Sequence, residues 1–252
     1  MGQDESQKLI NSKLMSYCHQ LFVEAIEQAD SIHDAFYDVS PEYALVYRYP
    51  TSPEALMRIV GVEEETLTKM GWYRDELIDS YFLIWLSFGK LQLCPINAKK
   101  LTYTRPSNGL SCDTPYLYSY ILRQKQSLDY VCLVESPVLA TLLTAKGIPT
   151  IAMGSPSPRK RQLKALASLE LPFVFLDIES KSSEQHAEAT VRALAKFSAL
   201  KVCFLPKLTD LLDGCRDLAN IETLLCDKSI DGLKFLSDRI YGKHNGKDDY
   251  AR

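Results

Sequence analysis

The chain contains no apolar run of the length that a membrane-spanning helix needs, and its opening MGQDESQKLI is polar and acidic, unlike the start of a signal peptide. A cytoplasmic protein with no membrane partner is therefore expected. No CxxC or CxxxC pair occurs among the seven cysteines, at positions 18, 94, 112, 132, 203, 215 and 226. Without such a pair a zinc module is not expected, and an odd count cannot pair completely within one chain, so reduced, mostly buried thiols are expected. Histidine is scarce, and His19, His33, His186 and His244 follow no ligand spacing. Positive charge is not in excess either: 29 Lys and Arg stand against 32 Asp and Glu, a net −3. Such a balance argues against wholesale coating of nucleic acid but leaves room for a local basic surface beside an acidic site.

What is present is ample apolar material, 46% of 252 residues, enough for one large domain or two modest ones. Residues 5 to 38 carry Leu9, Leu14, Cys18, Leu21, Phe22, Ala25 and Ile26 at helical spacing, which predicts one or two amphipathic helices. Ser52-Pro53-Glu54 reads as a cap followed by proline in the first helical turn, leading into 55 to 60, with a second short helix over 63 to 70. From Tyr81 the composition turns β-rich: YFLIWLSF, a turn at Gly89, then KLQLCPI, a hairpin or pair of adjacent strands. The basic, turn-rich KKLTYTRPSNG after it reads as a loop, and the closing GKHNGKDDYAR as a frayed tail.

Beyond about residue 128 a regular alternation sets in. DYVCLVE, PTIAMG, LPFVFLDIE and LKVCFLP read as strands, separated by helices in PVLATLLTAKG, PRKRQLKALASL and SEQHAEATVRALAKF. Alternating strands and helices predict right-handed crossovers and a parallel four-stranded sheet covered on both faces. The expected organisation is an α/β protein with a mixed helical and β region over 1 to 127, the parallel sheet over 128 to 214, and C-terminal helices and tail over 215 to 252.

Ligands gather at the carboxyl ends of parallel strands, where loops and helix N-termini converge. The first of these strands ends in Glu135, the third in Asp177 with Glu179 two residues on, and the fourth leads into a loop with Asp210 and Asp213. Carboxylates crowded at one edge repel unless a cation compensates them, and a hard divalent ion does so with a few carboxylates, water and phosphate oxygens. Taken singly, each acid serves equally well as a cap for the next helix.

These segments resemble the TOPRIM domain of bacterial-type primases. VCLVESPVLATLLTAKGIPTIAMGS is similar to its first motif, a strand ending in glutamate before a helix and a second strand ending in glycine. FVFLDIESKSSEQHAEATVRALAKF is similar to its second, and LKVCFLPKLTDLLDG to the strand and aspartate-bearing loop that follow. LCPIN, TYTRPSNG and TPYLYSYI ahead of them, and IDGLKFLSDRI behind, extend the resemblance over about 80 to 240. It implies nucleotidyl transfer on single-stranded DNA or RNA from nucleoside triphosphates, with a helicase or other replication protein as partner. Glu135 would act at the reacting phosphate, and Asp177, Glu179 and Asp210 would hold Mg2+ or Mn2+. The chain departs from the family pattern at Ser136, where glycine is usual, at Leu139 and Leu212, where acids are usual, and at Glu179, where aspartate is usual. The zinc module that commonly precedes such cores has no counterpart. The alternative is thus an inactive TOPRIM fold that binds nucleic acid or a replication partner.

Lys99, Lys100 and Arg105, and Arg159, Lys160 and Arg161 at a helix start, are candidate phosphate-backbone contacts, although solvated surface positions explain them as well. His186 reads as a surface residue without a catalytic task.

Overall fold

The computed structural model describes residues 48–76, 79–87, 90–105, 114–178, 182–205 and 218–245. The helices expected before residue 48 lie outside this set.

Two sheets organise the chain. The first is antiparallel, in the order β1-β2-β3-β4, with β1 at Trp72–Asp75, β2 at Ser80–Ser87, β3 at Lys90–Asn97 and β4 at Thr102–Tyr103. The hairpin expected from the β-rich run is β2 and β3, whose register sets Leu83 opposite Cys94 and Trp85 opposite Gln92. Two helices precede it, α1 over Pro53–Val60 and α2 over Glu64–Lys69. Ser52 caps α1 by accepting from the Ala55 amide at 3.2 Å, and Gly61 closes it in the left-handed region at φ 64°, a conformation that glycine adopts without Cβ strain. Part of the segment read as a basic loop is β4, an edge strand too short to show a period.

The second sheet has the order β6-β5-β7-β8-β9, formed by β5 at Val131–Val134, β6 at Thr150–Ala152, β7 at Phe173–Ile178, β8 at Leu200–Leu205 and β9 at Ile230–Asp231. The expected parallel four-stranded sheet needs correction here. The first four of these are mutually parallel, but β9 joins antiparallel beside β8, making the sheet five-stranded and mixed. A two-residue strand carries no alternation by which a sequence could announce it. The connecting helices are α4 over Pro137–Ala145, α5 over Lys160–Ala167 and α6 over Ser183–Leu194. A helix α3 over Tyr118–Gln124 precedes β5, and α7 over Leu218–Lys228 and α8 over Gly232–Asn245 flank β9. The last helix runs through Asn245, further into the supposed tail than its glycines imply.

Alternation along the strands divides the core. Cys132, Val134, Val174 and Leu176 point to one face, where they join α4 and the buried residues of the antiparallel sheet, Trp72, Leu83 and Trp85 among them. Val131, Leu133, Phe173 and Phe175 point to the other, beneath Leu166 of α5, Val191 and Leu194 of α6 and Phe235 of α8. The free edge of β6 is covered by a bridge in which Tyr116 exchanges backbone bonds of 2.8 and 3.1 Å with Ala152. Among the described residues no helix is long and apolar enough to cross a membrane.

Candidate active site at the rim of the mixed sheet

Strand order locates the site before any side chain is considered. From β5 the chain crosses to β6 on one side, then returns past β5 to β7 on the other, so the direction of winding reverses between β5 and β7. A crevice opens outside the carboxyl ends of strands at such a reversal, because the helices leaving the two strands diverge to opposite faces. Here α4 leaves β5 on one face and α6 leaves β7 on the other.

Glu135 and Asp177 stand at that reversal. Leu133 lies opposite Phe175 in the parallel register, and two residues further along each strand, on the same face by alternation, come Glu135 and Asp177. Glu135 is exposed at the mouth of the crevice. Even so, its carboxyl is held above the usual carboxylate range, chiefly because the protein behind it removes hydration. The nearby His186 ring opposes this rise, the Asp177 carboxylate adds to it, and the Arg105 guanidinium opposes it again. These four side chains form one electrostatic neighbourhood.

Each is placed by its element. Ser136 caps α4, accepting from the Leu139 amide at 3.3 Å, and Pro137 occupies the first turn, so the chain bends sharply after Glu135. At the end of β6, Gly154 donates to the Glu135 carbonyl at 2.9 Å and accepts from the Arg105 guanidinium at 2.9 Å. Its φ is +65°, and a Cβ there would overlap the Trp85 ring, so glycine is required for conformation and for space alike. Arg105 also donates to the Tyr103 hydroxyl at 3.2 Å and lies 5.7 Å from the centre of the Trp85 ring. Trp85 in turn donates to the Thr114 carbonyl at 2.8 Å. The antiparallel sheet thereby delivers a cation to the rim of the mixed one.

His186 is the residue that sequence reasoning set aside. Its Nδ1 lies 3.3 Å from Asp177 Oδ2, and the two side chains are only 28% and 20% exposed. A signal for it did exist. Ser183, Ala187 and Thr190 form the buried stripe of α6, and position 186 lies beside that stripe, in the part of the helix that starts at the rim.

The other candidates divide. Glu179 and Asp210 lie outside the described residues. Arg159, Lys160 and Arg161 are exposed at the start of α5, the end of that helix nearest the rim. Buried Gln162 fixes this start by accepting from the Arg159 amide at 2.9 Å and donating to the Met153 carbonyl at 2.7 Å. Lys99 and Lys100 are exposed in the turn between β3 and β4, apart from the charges that act on Glu135. Leu139, where the resemblance implies an acid, is 4% exposed within the core shared by the two sheets.

Two carboxylates at an open rim match the donor chemistry of a hard divalent ion, which takes one or two protein carboxylates and completes its shell with water and phosphate oxygens. Among the described residues no group of three or more His, Cys, Asp or Glu side chains is arranged to hold a metal.

No family model matches the sequence, and no curated protein matches it. Solved structures do. The chain is similar to a DnaG primase catalytic domain bound to ssDNA, with a TM-score of 0.54 at 12% identity over 94% of this chain and 78% of that one. It is also similar to the E. coli primase catalytic core, with a TM-score of 0.51 at 13% identity over 94% and 80%. A DNA primase domain from Pseudomonas aeruginosa gives 0.51 at 15% identity over 84% and 74%. At these identities the likeness establishes the fold, a mixed α/β architecture similar to a primase catalytic core.

Proposed function

We propose that this chain is a primase-like nucleotidyl-transfer protein, that its mixed sheet is a TOPRIM domain, and that it works on single-stranded nucleic acid at the rim between β5 and β7. The observation that carries the reading is the meeting of Glu135 and Asp177 at the winding reversal of a primase-type fold. The ssDNA in one of the similar primase structures supports the choice of substrate.

In this reading Glu135 stands at the reacting phosphate. A carboxylate raised above its usual range is a stronger base than an ordinary one, which suits a group that takes the proton of an attacking hydroxyl. Arg105, anchored on the Gly154 carbonyl, offsets negative charge at the rim. Asp177 with Glu179 and Asp210 would hold Mg2+ or Mn2+, which when bound neutralises phosphate charge and lines up the reacting oxygens. Arg159, Lys160 and Arg161 at the start of α5 would meet the strand's phosphates, and Lys99, Lys100 and Arg105 would extend that track from the antiparallel sheet. Nucleoside triphosphates are the second substrate, and a helicase or other replication protein is the expected partner.

A second reading, a binding module without turnover, is favoured by one observation. Leu139 is packed into the core, so the place of an acid usual in the family is occupied by apolar structure. Primer synthesis on single-stranded DNA with labelled nucleotides separates the two. The first reading expects metal-dependent product from wild type and none from Glu135→Ala. Absence of product from well-folded wild type, with salt-dependent binding of the DNA retained, selects the second. Absence of both product and binding at low salt removes both.

A further inference from the structure

We propose that His186 is a positioning residue for the rim, pinning Asp177 so that its carboxylate stays beside Glu135. The role rests on the reading of the rim as a phosphate-handling site, and it goes beyond the acids that the family resemblance implies.

The geometry is direct. A carboxylate oxygen can only accept, so in the 3.3 Å contact between His186 Nδ1 and Asp177 Oδ2 the ring nitrogen carries the hydrogen. Asp177 lies in the last part of β7, and a terminal sp3–sp2 torsion such as its own has only a broad intrinsic preference. The hydrogen bond from His186 on a neighbouring element narrows the settings of that torsion before any ligand arrives. The backbone that carries His186 is fixed, since α6 is anchored on both sides of it by buried Ala187 and Ser183. The ring therefore stands against Asp177 at the rim, within electrostatic range of Glu135, while α6 holds its backbone from the core side.

Such outer hydrogen bonds orient carboxylates toward a cation and sharpen its binding; removing one typically weakens metal affinity by about 10- to 100-fold. The test is Mn2+ binding to the full chain in the presence of a single-stranded oligothymidylate, followed by electron paramagnetic resonance, with thermal unfolding of each variant alongside. His186→Ala is expected to unfold close to the wild-type temperature and to bind Mn2+ about 10- to 100-fold more weakly. His186→Asn, whose side-chain amide places an N–H near the position of the ring Nδ1, is expected to recover most of the loss. A purely structural role would lower thermal stability and leave the rescue unseen.

Wild-type affinity in His186→Ala overturns the positioning role while leaving the site reading intact. So does an Asn variant as weak as the Ala variant, because the hydrogen bond would then not be the operative feature. Wild type that binds no Mn2+ at all is a separate result: it overturns the metal-holding rim, and the positioning role falls with it.

Discussion

The two faces of the five-stranded sheet are held by different means. On the face toward the antiparallel sheet, a polar relay is buried within the apolar core. Trp72 Nε1 donates to the Thr141 hydroxyl at 3.0 Å, that hydroxyl reaches the Pro137 carbonyl at 3.0 Å, and the Tyr116 hydroxyl, 3.1 Å away, donates to the Met70 carbonyl. On the opposite face the cluster beneath α5, α6 and α8 is mainly apolar. Its polar bonds lie toward the rim, where Gln162 donates to the Met153 carbonyl and His186 meets Asp177, and Arg239 of α8 bonds Glu184 and Glu188 of α6 on the outside. The difference teaches where this fold carries directional information. The relay fixes how one sheet sits on the other, which is what brings Arg105 to the rim. The apolar face supplies mass and closure, and Glu135, Asp177 and His186 stand at its exposed margin.

The largest expected effect lies on the apolar face. Phe175 is 1% exposed and is two residues from Asp177; Phe175→Ala should remove about 3–5 kcal/mol from the unfolding free energy measured in urea. A loss below about 1 kcal/mol would show that this face does not pack as described. Next comes the relay. Thr141→Val should cost about 1–3 kcal/mol by stranding the Trp72 N–H, and combining it with Trp72→Phe should cost less than the sum, since removing both partners leaves no orphaned donor. Full additivity would dissolve the contrast between the faces.

Smaller effects sharpen it. Arg239→Ala should cost at most about 1 kcal/mol in thermal unfolding and less in high salt, because Glu184 is 61% exposed. Glu135→Gln should go the other way. A carboxyl raised by folding favours the protonated form, so its contribution is full below the unfolded carboxyl range and is lost as pH rises through the folded value. At neutral pH ionised Glu135 is thus a small liability, and the glutamine variant should equal or exceed wild type by up to about 0.5 kcal/mol, discounted for exposure. The advantage should close as pH falls through the carboxylate range, while primer synthesis is lost at every pH. Pairs of melting curves at neutral and acid pH check the sign.

Much of this was legible in the chain itself. Strand-helix alternation, the proline-led starts of α1 and α4 and the glycine ending β6 are local signals, because propensity and capping act within a turn or two. Glu135 and Asp177 were legible as strand-end acids for the same reason. His186 was legible only faintly, since a histidine among polar residues on a helix reads as surface unless the small residues at 183, 187 and 190 are traced as the buried stripe beside it. Leu139 read as an empty place in an acidic cluster, whereas in the fold it is a core residue that packs both sheets together.

The sequence by itself determined the elements, the alternation that gives the sheet two buried faces, and the acids at its strand ends, because these depend on side-chain periods and backbone stereochemistry within a single segment. Only the tertiary structure decided that β6 and β7 flank β5 on opposite sides, that β9 closes the edge, and that Arg105, Glu135, Asp177 and His186 share one electrostatic neighbourhood. Those outcomes depend on which surfaces bury one another across long stretches of chain, and no local pattern encodes that choice.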